Sequence, residues 1–232
     1  MKTTPKPRVK ICCINSIDEA RLAIRYGASA LGLVSAMPSG PGVIEEDDIA
    51  QIAATIPPGV SSVLLTSQQD AGAIIEQQRH CRVNTLQIVD HFPIDGYMKL
   101  RDALPGVALV QVIHVMGETS IDDALAVAPY VNAILLDSGN QSLVVKELGG
   151  TGRIHDWAIS RRIREVVPVP VFLAGGLHAG NVAEAIATVQ PFALDVCSGV
   201  RTGGKLDEKK LASFFAEVAS TARTPESRVE RA

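Results

Sequence analysis

Aromatic side chains are scarce in this sequence: one tryptophan, three tyrosines and five phenylalanines make up 4% of 232 residues. With apolar residues at 47%, the core has to be built from Val, Ile, Leu and Ala rather than from rings. Cysteine is sparse as well. Cys12, Cys13, Cys81 and Cys197 in so long a chain make no disulfide framework. No CxxC or HxxxH spacing points to zinc, and the histidines (His80, His91, His114, His155 and His178) form no metal pattern. No window approaches the roughly 20 apolar residues of a membrane span, and no apolar stretch follows MKTTPKPRVK, so a secretory signal is not expected. An excess of one charge is missing too. With 22 basic against 25 acidic residues the net charge is −3, which gives no general pull toward nucleic acid or an anionic membrane. The expectation is a soluble cytoplasmic protein, with one domain over 1–222 and a frayed polar tail over 223–232.

What the chain does have is regular alternation of β-branched runs with alanine-rich segments of helical period. The expected strands are Arg8–Cys13, Ala30–Val34, Val60–Thr66, Thr85–Val89, Val107–Val115, Val131–Asp137, Val169–Ala174 and Phe192–Cys197. The expected helices are Asp18–Tyr26, Glu46–Ala54, Ala71–His80, Tyr97–Ala103, Ile121–Ala128, Trp157–Glu165, Asn181–Val189 and Glu208–Ala219. Ser16 with Glu19 reads as a capping box for the first helix. Such alternation demands parallel strands, because each helix carries the chain back across the sheet. Eight units in this length suit a single (β/α)8 TIM barrel, the open doubly wound sheet being the rival. KICCINS after the first strand lacks GxGxxG, which speaks against a dinucleotide fold.

A barrel carries its chemistry at the C-terminal ends of its strands. That rule selects Cys12 and Cys13, Asp137, Ala174–Gly175–Gly176 and Asp195 through Gly199. The turns A-G-G-L (174–177) and C-S-G-V (197–200) fall on consecutive strands in the last quarter, where glycine lets backbone N–H groups approach an anion. They predict a phosphorylated small-molecule substrate. Asp137 closes an apolar run and suits a general acid, although an Asp there also reads as a turn or cap residue. Asp195 interrupts an apolar strand, where an unpaired carboxylate is costly, so it calls for a partner. Strand alternation allows only one of Cys12 and Cys13 to face inward. Lys10 shares the parity of Cys12, and His114 ends strand five.

The blocks V-K-I-C-C-I-N (9–15), L-L-D…G-G-T-G-R-I-H-D-W (135–157), L-A-G-G-L (173–177) and D-V-C-S-G-V (195–200) together resemble the phosphoribosylanthranilate isomerase family. The resemblance spans nearly the whole chain. It implies an Amadori rearrangement of an aminoaldose 5-phosphate by general acid–base catalysis, without metal or organic cofactor, in a monomer or homodimer. It casts Cys12 as the base that removes the C2 proton and Asp137 as the acid that opens the furanose ring. It gives Gly175, Gly176, Ser198 and Gly199 to the phosphate and Asp195 to the aminoaryl part of the substrate; Gly150 and Arg201 are further expected substrate-binding residues, Arg201 as a cation at the phosphate end. The sequence also departs from the family. In M-P-S-G-P-G-V-I (37–44), Gly42 stands where the family carries an arginine for the aryl carboxylate; Val89 replaces a histidine, Cys13 a glycine and Arg201 a glutamate. Arg201, His91 and Lys10 are the cations available in the arginine's place. Two other readings share these residues: an isomerase, epimerase or lyase of another phosphorylated molecule, and a non-catalytic phosphometabolite-binding barrel.

Overall fold

Eight parallel strands close on themselves in a computed structural model that describes residues 6–139 and 154–221. The order is β1 (Arg8–Ile11), α1 (Ile17–Tyr26), β2 (Ala30–Val34), α2 (Glu46–Ala54), β3 (Ser61–Thr66), α3 (Ala71–Cys81), β4 (Thr85–Ile88) and α4 (Ile94–Ala103). It continues with β5 (Ala108–His114), α5 (Thr119–Val127), β6 (Ala133–Asp137), α6 (Trp157–Val166), β7 (Val171–Leu173), α7 (Val182–Val189), β8 (Ala193–Val196) and α8 (Glu208–Ser220). Each strand pairs with the next, and β1 pairs with β8 from Arg8↔Ala193 to Ile11↔Val196, which leaves no edge. This is the TIM barrel the alternation predicts. The stretches 140–153 and 222–232, with Gly150 and the expected tail, lie outside the described residues.

Strand parity sorts the aliphatic residues into two cores. Outward positions such as Ile11, Leu31, Leu64, Leu86, Ile134 and Leu194 meet the inner faces of the helices. Inward positions such as Ala30, Val63, Leu65, Val110, Val112, Ala133 and Leu135 fill the barrel, so branched side chains and alanine do what rings do in other cores. Buried polar residues also stand on inward positions, among them Lys10, Gln87 and Asp195; Gln87 and Asp195 line the cleft at the C-terminal ends of the strands, and Lys10 is paired with Asp195. Among the described residues no helix is long and apolar enough to cross a membrane.

The strands are shorter than their apolar runs, because ladder pairing stops where the chain turns away from the barrel. The difference matters most at β1. Pairing ends at Ile11, and Cys13 takes a left-handed backbone conformation, φ 63°, which costs a non-glycine residue of order 1 kcal/mol or more. At the start of α1, Ser16 Oγ accepts from the Glu19 N–H at 3.2 Å, as a capping box requires. The reciprocal half is not made. The Glu19 carboxylate is turned instead toward Arg201, whose guanidinium reaches its two oxygens at 3.0 and 2.9 Å.

Candidate active site

The C-terminal ends of the strands surround a cleft of about 670 Å³ lined by Cys12, Cys13, Gln87, Asp137, Asp195, Cys197 and Ser198, with the 174–177 turn on one side and Met37 to Pro41 on the other. Cys12 follows β1 directly and is held there by its N–H, which donates to the Val196 carbonyl of β8 at 2.9 Å. Its thiol points inward. The hydrogen bond from the Cys13 thiol (3.9 Å between sulfurs) and the Lys10 ammonium hold the Cys12 thiol below its ordinary range, against burial. This bias toward the thiolate suits a general base.

Asp137 ends β6 across the barrel. Burial pushes its carboxyl above the usual range, while the Ser138 N–H at 2.7 Å and the neighbouring His114 work the other way. A carboxyl biased toward its protonated form in this manner suits a proton donor. His114 and Asp137 are register partners on β5 and β6. The His114 Nε2 lies 3.0 Å from the Val89 carbonyl, and its buried Nδ1 has no partner.

Asp195 has two roles, one for each oxygen. Its Oδ2 meets Lys10 Nζ at 2.8 Å, both groups being buried. Its Oδ1 is buried and lacks a partner, as does Gln87 Oε1; both residues line the cleft. Such atoms cost about 1–3 kcal/mol each unless something pairs with them, so within the cleft they are acceptors open to a polar ligand. Burial works to lower the Lys10 pKa, and Asp195 together with Cys12 overcomes it, so the ammonium stays charged. Gln87 escaped notice in the sequence, although it shares inward parity with Val89.

The two glycine turns pack as one unit. Gly175 and Gly176 have φ of 82° and 61°, which only glycine adopts freely. Asn181, just ahead of α7, accepts from the His178 N–H at 2.8 Å and donates to the Gly176 carbonyl at 3.0 Å, closing the turn. Ser198–Val200 forms a short 3-10 turn, and a Cβ on Gly199 would lie 1.9 Å from the Leu177 carbonyl oxygen. Gly175, Gly176 and Ser198 line the cleft; Gly199 stands behind them and lets the turns approach.

Two expectations need correction. The left-handed turn at Cys13 breaks strand alternation after Cys12, so both thiols line the cleft rather than one. Arg201, expected at the substrate, is not among the residues that line the cleft. It is buried behind β1, with its guanidinium on Glu19, the Gly204 carbonyl and the Cys12 and Cys13 carbonyls. Of the other cations considered, Lys10 is committed to Asp195, and His91 is exposed in the loop after β4. Gly150 lies outside the described residues.

Positions 13 and 42 meet in the structure. A Cβ on Gly42, whose φ is +80°, would lie 2.4 Å from Cys13 Cβ and 3.0 Å from Cys13 Sγ. The Cys13 side chain therefore occupies the room that any side chain at 42 needs.

The family model for N-(5'-phosphoribosyl)anthranilate isomerase matches residues 9–217. N-(5'-phosphoribosyl)anthranilate isomerase of Methanosarcina acetivorans is 33% identical, over 95% of this chain and 98% of that protein. The enzyme of the same name from Methanocella arvoryzae is 35% identical, over 90% and 96%. A solved phosphoribosyl anthranilate isomerase in complex with reduced 1-(o-carboxyphenylamino)-1-deoxyribulose 5-phosphate superposes with a TM-score of 0.76 at 27% identity, over 92% of this chain and 99% of that one.

Proposed function

This chain belongs to the N-(5'-phosphoribosyl)anthranilate isomerase family, and from that premise we infer how its own residues carry the reaction. It is an aldose–ketose isomerase of tryptophan biosynthesis that converts N-(5'-phosphoribosyl)anthranilate to the carboxyphenylamino-deoxyribulose 5-phosphate. Asp137 gives its proton to the ring oxygen, and the furanose opens to a protonated Schiff base. That cation acidifies C2–H, and Cys12, as thiolate, takes the C2 proton to leave an enolamine, which becomes the ketose. Asp195 Oδ1 receives the substrate's amino N–H. The turn from Gly175 to Leu177 with Ser198, supported by Gly199, holds the phosphate through backbone N–H groups.

The observation that carries this reading is the pairing of opposite environments in one cleft: a thiol biased toward its anion and a carboxyl biased toward its acid. We place the enzyme in the cytoplasm, where its four free thiols suit a reducing compartment. The test is product capture. Purified protein is incubated with N-(5'-phosphoribosyl)anthranilate, borodeuteride is added, and the reduced aminoketose phosphate is identified by mass and fragmentation from deuterium at C2, where reduced substrate carries it at C1. Its accumulation with enzyme supports the reading, and its absence while substrate persists overturns it.

A further inference from the structure

The reaction uses one thiol, yet three meet on one wall of the cleft. Cys13 Sγ lies 2.8 Å from Cys197 Sγ, 3.9 Å from Cys12 Sγ and 3.5 Å from the Pro41 carbonyl. Cys13 and Cys197 follow the ends of β1 and β8, neighbours whose register runs to Ile11↔Val196. The two sulfurs already stand in contact, as closure of a disulfide requires. The left-handed turn at Cys13 aims its sulfur across the gap, and the side-chain-free Gly42 leaves it room. Cys197 is only partly buried and the cleft opens to solvent, so a small reagent can reach the pair. The fourth cysteine is a built-in control: Cys81 is buried on α3, with the Glu46 carbonyl as its contact.

We propose that Cys13 and Cys197 form an oxidisable dithiol beside the catalytic base, which a hydroperoxide closes to a disulfide that stops turnover. Cys197, the more exposed, gives up its proton and attacks one peroxide oxygen. The O–O bond breaks, the other oxygen leaves as alcohol or water, and Cys197 becomes a sulfenic acid. The Cys13 sulfur then displaces that hydroxyl as water, and the S–S bond forms. Two thiols are oxidised by two electrons, and the hydroperoxide is reduced to alcohol (or water) and water. The bridge consumes the S–H that Cys13 directs at Cys12, and so removes the partner that most favours the Cys12 thiolate. It also ties the residue after the base to the residue before the phosphate turn.

The test treats the full chain with hydrogen peroxide, blocks remaining thiols by alkylation and maps non-reduced peptides by mass spectrometry. The peptide carrying Cys12 and Cys13 should appear joined to the peptide carrying Cys197, with Cys12 and Cys81 alkylated. Activity should fall at least tenfold with the same time course and return with dithiothreitol. Cys197→Ser, measured against its own untreated rate, should keep its activity under peroxide, whereas Cys81→Ser should remain as sensitive as the wild type. A Cys12–Cys13 bridge, oxidation of Cys12 alone, or a Cys13–Cys197 bridge that leaves turnover intact overturns the proposal. The inactivation arm rests on the isomerase reading; the peptide map does not, so failure of one is distinguishable from failure of the other.

Discussion

The two catalytic groups are biased by different surroundings, one by a neighbouring thiol and the other by burial. Cys12 owes its acidity first to the Cys13 thiol. Cys13→Ala should therefore raise the Cys12 pKa and move the acidic limb of the kcat/KM–pH profile upward, with much smaller loss on the alkaline side. An unmoved limb would show that Cys13 does not polarise the base. Asp137 is shifted the other way, by burial. A carboxyl whose folded pKa lies above its unfolded value stabilises the fold below the unfolded pKa and loses that contribution as pH rises through the folded one. Asp137→Asn keeps an oxygen for the Ser138 N–H and removes the titration. It should lower kcat by about 10²–10⁴, the span of a lost general acid. It should also unfold at a higher temperature than wild type at neutral pH, with the gap narrowing in acid. Thermal melts across pH check the second half: a gap that widens in acid contradicts the sign.

At the scale of elements, the loop after β2 and the end of β1 form a fitted pair. Gly42→Arg alone forces a side chain into space held by Cys13 and should lower the Tm by roughly 2–10 °C, as overpacking of about 1–3 kcal/mol does in a chain this long. Adding Cys13→Gly opens that space and relieves the left-handed strain at 13, so the double variant should recover part of the lost Tm, the remainder being the cost of a side chain at the positive φ of position 42. With the arginine able to reach a substrate carboxylate, its KM, read on the alkaline plateau, should fall about tenfold, the worth of one charge-assisted hydrogen bond. Equal stability of the single and double variants would show that positions 13 and 42 are not coupled.

Arg201 belongs to the same scale. It pins the β1 end to α1 through Glu19 and to the hairpin of Arg201–Thr202 with Lys205–Leu206 through the Gly204 carbonyl. Arg201→Met leaves the largely buried Glu19 carboxylate with the Leu206 and Asn15 N–H groups but no charged partner, which should cost roughly 2–4 kcal/mol in chemical denaturation. At a temperature where the variant remains folded, KM should stay near wild type, because the guanidinium does not face the cleft. A large rise in KM without loss of stability would return Arg201 to the substrate.

For the molecule as a whole, architecture was the most legible part of the sequence. Eight alternations fix the barrel because period-2 and period-3.6 burial are properties of the residues themselves. The strand-end rule then points to Cys12, Asp137, Asp195 and both glycine turns without knowledge of side-chain directions. What stayed hidden depends on backbone dihedrals and on contacts between distant segments. Nothing in the letters C-C reveals that the second takes a left-handed turn and keeps its thiol in the cleft. Nothing in M-P-S-G-P-G-V shows that Gly42 faces the Cys13 side chain, or that Glu19 leaves its cap for a residue 182 positions away. Gln87 went unnoticed because a single inward amide among aliphatic residues carries no periodic signal.

The central claim is that this barrel isomerises N-(5'-phosphoribosyl)anthranilate with Cys12 as the base. Steady-state kcat/KM, followed by loss of substrate fluorescence for wild type and Cys12→Ala side by side, addresses it directly. The mechanism predicts robust turnover by wild type and a loss of at least about 10²-fold in the variant. An inactive wild type, or a Cys12→Ala variant as fast as wild type, would contradict it.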